Sequence, residues 1–124
     1  MNKYLTLSIT IILLAIVFIS ISFLNIKIPA GTDKLIHSLT FFSITLLVIY
    51  TYIKFFSKKY LPAFIFILLT LGGVFSALTE KLQDNLINRS CDPIDWLANL
   101  TGMIIAVFVF YLFTIKKTLK YNKD

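Results

Sequence analysis

Cysteine occurs once in the 124 residues, at Cys91, so no intramolecular disulfide can form and a thiolate metal cluster has no second ligand. Charge is scarce too: only 15% of residues are Asp, Glu, Lys or Arg, and the acids number 6. There is no glycine loop of the kind that cradles phosphates, no nucleophile elbow and no internal repeat of useful length. The tight ligand spacing of a zinc motif is also missing. No helix-free linker is long enough to separate two domains, which leaves one compact unit over 1–124.

Apolar residues dominate instead. They make up 58% of the chain, and the mean hydropathy is +0.87, far above a soluble domain. About 20 apolar residues at roughly 1.5 Å rise cross a hydrocarbon core of about 30 Å. Hydropathy therefore predicts an all-α, membrane-spanning bundle of four helices near 4–24, 35–53, 61–79 and 94–115, and it excludes a soluble enzyme. The first window reads as a retained helix rather than a signal peptide. It is longer than an h-region, and no Ala-x-Ala-like site follows it.

Helix boundaries carry local signals. Asp92-Pro93-Ile94-Asp95 fits an N-cap aspartate, a proline at the first helical position and an acid at the third, so the fourth helix should start at Pro93. Thr32 or Asp33 is the expected cap of the second helix. Small residues suggest contacts: Gly72, Ser76 and Glu80 form one stripe, and Asp95, Asn99, Gly102 and Ala106 another. In lipid, close packing at such residues is a main source of association, so the third and fourth helices are expected to meet there.

A net charge of +6 raises the question of nucleic acid, but the charges sort by loop. The amino-terminal end, the second loop and the tail carry eight basic residues (Lys3, Lys54, Lys58, Lys59, Lys116, Lys117, Lys120, Lys123) against Asp124. The other two loops carry four (Lys27, Lys34, Lys81, Arg89) against five acids. By the positive-inside rule both termini are cytoplasmic, and loops 25–34 and 80–93 face outward. Topogenesis and anionic lipid account for the basic excess, and no nucleic acid partner is implied.

The outward loops and helix ends hold the unusual side chains. Asp33 and His37 are four residues apart, Glu80 and Gln83 three, and Asp95 and Asn99 four, so each pair shares a helix face. With Lys34 and Arg89 they make eight polar groups at one membrane depth. Such groups are costly there unless paired, hydrated or used. They are the predicted binding residues: Asp33, Lys34, His37, Glu80, Gln83, Arg89, Asp95 and Asn99. His37 with Glu80 or Asp95 forms the candidate acid–base set. Asp92, Lys81 and Asp84 read as a cap and solvated charges. His37, Glu80 and Asp95 also offer metal donors, but without a motif the sequence assigns neither metal nor other cofactor.

The order Asp33-Lys34-Leu-Ile-His37, Phe41-Phe42, Glu80-Lys-Leu-Gln83, Arg89 and Asp95-Trp-Leu-Ala-Asn99-Leu-Thr-Gly102 resembles the VanZ-like family of bacterial membrane proteins. The resemblance runs from Asp33 to the end of the fourth helix. It implies a small multi-pass protein of the cytoplasmic membrane, in a family where some members are linked to resistance to the glycopeptide teicoplanin. The expected partner is a membrane lipid or lipid-linked envelope precursor of anionic character, held in the outward pocket. Two alternatives stand beside this: an intramembrane acid–base enzyme on a lipid-linked phosphate or glycan, and a structural accessory subunit. Membrane-protein partners or a homo-oligomer remain open.

Overall fold

The computed structural model describes residues 3–23, 29, 31–87 and 92–121. Four helices follow in order: α1 (Lys3–Phe23), α2 (Thr32–Phe55), α3 (Leu61–Ile87) and α4 (Pro93–Tyr121). A short 3-10 turn, Lys58–Tyr60, leads into α3, and no strand occurs among the described residues. Stretches Thr32–Phe55, Lys58–Leu82 and Pro93–Thr114 are long and apolar enough to span a membrane, and α1 carries the shorter apolar run Leu5–Leu14.

The distribution of side chains is inverted relative to a soluble bundle. Among the described residues the buried apolar ones are Phe41, Ile49, Ile65, Met103 and Ala106, whereas the buried polar ones are twice as many, Glu80, Asp95 and His37 among them. Phe66, Phe108 and Phe113 point outward with most of their surface uncovered. Water would penalise that surface and lipid does not, so this is a membrane protein.

Two helix starts follow different rules. At α4 the prediction holds: the Ile94 amide donates to Asp92 Oδ1 at 2.9 Å and the Asp95 amide to the Asp92 carbonyl at 3.0 Å. At α2 the residue ahead of the helix is Gly31, at φ +95°, a left-handed conformation that disfavours a side chain. Neither Thr32 nor Asp33 caps it. Both lie within the first turn, and Asp33 Oδ1 accepts from the Lys34 amide at 2.8 Å.

The helices also outrun their apolar windows. Loop 80–93 was expected to begin at Glu80, but α3 continues to Ile87, and loop 25–34 is shortened because α2 starts at Thr32. Glu, Lys, Leu and Gln are good helix formers, so a helix need not stop where hydrocarbon does.

Packing sets the site. α2 lies along α4 over the largest interface of the bundle. The close approach is at Gly102, where a Cβ would collide with the Ser38 carbonyl oxygen and lie 3.1 Å from the Phe42 amide nitrogen. Gly102 therefore serves α2, not α3 as the stripe had suggested. The α3–α4 contact keeps one pair of the small-residue pattern, Asn99 Nδ2 donating to Ser76 Oγ at 2.7 Å, and adds one bond outside it, Trp96 Nε1 donating to the Gly73 carbonyl at 3.0 Å. On the far side α1 joins α2 through buried hydroxyls, Thr10 Oγ1 and Thr51 Oγ1 lying 3.2 Å apart.

Candidate functional site: a polar cluster above an apolar cavity

Close α2–α4 contact puts the first turns of those two helices beside the last turns of α3. His37, Glu80 and Asp95, from three different helices, are 5%, 4% and 2% exposed. One ligand atom from each lies within 4.8 Å of the other two. His37 Nδ1 and Glu80 Oε1 approach to 3.9 Å. That is beyond a direct hydrogen bond but close enough for strong electrostatic coupling at low dielectric.

Lys34 closes the outer side. Its ammonium donates to Asp92 Oδ2 at 2.7 Å and to Asp95 Oδ1 at 2.9 Å, tying α2 to the start of α4. Asp92 is therefore both cap and ion-pair partner, a second role that the reading of it as a cap had missed. Beneath the cluster, Asn99 is fully buried with its amide nitrogen fixed by Ser76. Its Oδ1 has no hydrogen-bond partner among the described residues.

Of the eight predicted residues, Lys34, His37, Glu80, Asp95 and Asn99 occupy this one end of the bundle. Asp33 is half-buried, with one carboxylate oxygen bound to its own helix. Arg89 lies outside the described residues, as does Cys91, and Gln83 lies on α3 with its side chain outside those described. The alignment of His37, Glu80 and Asp95 follows from the helix packing. They stand 43 and 15 positions apart along the chain, so no local spacing could have revealed three convergent donors.

No family model, curated protein or solved structure matches the chain. The site must be read from its own chemistry.

One turn deeper the chemistry changes. A cavity of about 270 Å³ opens between the helices, lined by Leu14, Phe41, Ile44, Thr45, Val48, Leu68, Gly72, Phe75, Thr79 and Met103. Phe41 is one helical turn below His37, and Thr79 immediately precedes Glu80. The cavity walls are almost wholly apolar, and its volume is close to the small end of ligand pockets, about 300 Å³. Sequence reasoning had not found it. Thr45, Gly72 and Thr79, small or short residues on facing helices, were the available signal.

The charged cluster and the adjoining apolar cavity give this part of the bundle two neighbouring regions of opposite character. Such a site suits an amphiphile with a polar head at the membrane edge and a chain in the bundle.

Proposed function

We propose that this chain is a VanZ-like protein of the bacterial cytoplasmic membrane that binds an anionic, lipid-linked envelope molecule. In this reading all four helices cross the membrane, both termini are cytoplasmic, and the Lys34–Asp95 end faces outward. The observation that carries it is the adjacency of the polar cluster and the apolar cavity, whose lining residues Phe41 and Thr79 lie one turn from His37 and next to Glu80.

Energetics divides the labour between the two ends. An acyl or prenyl chain gains little by moving from bilayer hydrocarbon into an apolar cavity, so the cavity accommodates the chain without selecting it. Selection falls to the head. Lys34 and Arg89 offer charge-assisted donors to phosphate, His37 meets phosphate or sugar oxygens, and Glu80, Gln83, Asp95 and Asn99 orient them. A link to teicoplanin resistance follows from this reading, because a protein that holds cell-wall precursors changes how many of them the antibiotic reaches.

Native mass spectrometry of the purified chain tests the assignment. Wild type should retain anionic lipid through detergent exchange, and a folded Lys34→Ala, Arg89→Ala variant should lose it. Equal retention by both proteins would remove the pocket from consideration.

The 3.9 Å approach of His37 to Glu80 favours a second reading, acid–base catalysis on the same lipid. Turnover of a lipid phosphate or glycan that is lost in Glu80→Gln would establish it, and no turnover across a broad lipid panel would count against it.

A further inference from the structure

An anion pocket containing buried carboxylates poses an electrostatic problem. Asp92 and Asp95 both pair with the Lys34 ammonium, Glu80 and Asp95 bring ligand atoms within 4.8 Å of each other, and those two acids are almost wholly buried. A phosphate entering the pocket meets Glu80 and Asp95 as like charges in a low dielectric. Another cation between acids and phosphate would reconcile the two.

We propose that His37, Glu80 and Asp95 hold one divalent transition-metal ion next to the cavity, one turn from Phe41 and adjoining Thr79 of its lining. Its role as receptor for the phosphate rests on the lipid-binding reading above; the metal site itself does not.

The geometry fits such an ion. Three donor atoms no more than 4.8 Å apart share a point within about 2.8 Å of all of them. Zinc bonds to nitrogen and carboxylate oxygen are about 2.0–2.2 Å, so each donor needs to close by well under 1 Å. Side-chain torsions alone can supply that movement. The donors come from facing helices, an arrangement by which bundles build metal centres.

Donor chemistry narrows the ion. One imidazole with two carboxylates suits Zn²⁺, Mn²⁺ or Co²⁺, whereas Ca²⁺ and Mg²⁺ favour all-oxygen sets. Three protein ligands leave at least one coordination position open, the arrangement that lets a metal take up an exogenous oxygen.

Two neighbours support the centre. Lys34 engages Oδ1 of Asp95, and a carboxylate has a second oxygen with which to ligate; the ammonium fixes its orientation. Asn99 supplies the independent sign of a ligand: it is 1% exposed, its amide nitrogen is held by Ser76, and its Oδ1 has no hydrogen-bond partner among the described residues. Asn99 is one turn from Asp95 on α4, and Ser76 one turn from Glu80 on α3, so this carboxamide sits directly below the three donors. Its oxygen can ligate the ion or accept from a metal-bound water.

The test uses the full chain, purified through a tag without histidine, stripped with chelator and titrated with Co²⁺. One Co²⁺ per chain should bind, with the visible absorption of a four- or five-coordinate site, and Zn²⁺ should displace it. Folded His37→Gln and Glu80→Gln variants should bind at least about 100-fold more weakly, since each removes a ligand. Because His37 is the sole histidine, acylation by diethylpyrocarbonate reports on one imidazole, and bound Zn²⁺ should slow it about tenfold or more. No Co²⁺ on folded wild type, or an unchanged acylation rate, overturns the proposal without reference to any variant.

Nanodiscs with phosphatidic acid or phosphatidylcholine separate the two ideas. The expected result is that Zn²⁺ strengthens retention of phosphatidic acid alone. Retention that persists in chelator, with no Co²⁺ bound, overturns the metal site and leaves the lipid reading standing. Bound Co²⁺ without preference for phosphatidic acid overturns the lipid reading and the ion's role as receptor.

Discussion

Gly102→Ala should loosen the bundle where the site is assembled, and the structure sets the size of the effect. The new Cβ would overlap the Ser38 carbonyl oxygen and lie 2.9 Å from the Ser38 carbonyl carbon and 3.1 Å from the Phe42 nitrogen. All three are backbone atoms of α2, so no rotamer change relieves the contact, and α2 and α4 must move apart by about 1 Å to restore van der Waals distance. Overpacking of this kind costs about 1–3 kcal/mol. Alanine's intrinsic helix preference over glycine, about 1 kcal/mol, offsets part of that. We expect a net loss of up to about 2 kcal/mol, a factor of up to roughly 30 in the folded-to-unfolded ratio.

Gly72→Ala is the control within the same molecule. There the Cβ meets the end of the Met103 side chain, its Sδ at 3.1 Å, and methionine has flexible torsions with which to withdraw. Its stability should equal wild type or exceed it by up to about 1 kcal/mol, because the same helix preference is not opposed there by backbone. Unfolding in mixed micelles can be followed through Trp96, the sole tryptophan, whose indole is bonded to the Gly73 carbonyl across the α3–α4 interface. Coincident unfolding curves for Gly102→Ala and Gly72→Ala would refute the close α2–α4 approach.

Other expectations follow from the same geometry. A double-mutant cycle on Asn99→Ala and Ser76→Ala should give a coupling of about 0.6–1.7 kcal/mol, as for interhelical hydrogen bonds in membranes; zero coupling would show that the 2.7 Å contact contributes nothing. Thr10→Val should destabilise the α1–α2 seam by about 0.6 kcal/mol, read in the same unfolding assay, and an unchanged or raised stability would count against the Thr10–Thr51 bond. Cys91, the only thiol, should react in intact cells with a membrane-impermeant maleimide, whereas labelling only after lysis would reverse the predicted topology.

Much of the fold was legible because membrane helices announce themselves by length and hydropathy. The start of α4 was legible for a different reason, since Asp92 and Pro93 encode a cap in adjacent positions. Hydropathy ceased to help beyond Thr79, where α3 runs on through Glu80 and Lys81 in residues that favour helix without favouring lipid. Which helix each face meets was less accessible. Periodicity placed Asp95, Asn99 and Gly102 on one side of α4, but they divide between neighbours: Asn99 bonds to α3, while Asp95 and Gly102 meet α2. Such partition depends on crossing geometry, which no single helix encodes. The Thr6, Thr10, Thr51 and Lys54 seam went unread because isolated threonines in apolar helices usually bond back to their own backbone; Thr10 does this too, donating to the Thr6 carbonyl at 2.9 Å.

The central claim is that the polar cluster and the cavity beneath it form one binding site for an anionic lipid. Photolabelling with a phosphate-headed lipid bearing a diazirine in its chain tests this most directly. The account predicts labels on cavity residues such as Phe41, Thr45 and Met103, lost in Lys34→Ala and absent with a phosphocholine-headed analogue. Labels confined to outward residues such as Phe66 and Phe108, and equal for both headgroups, would contradict it.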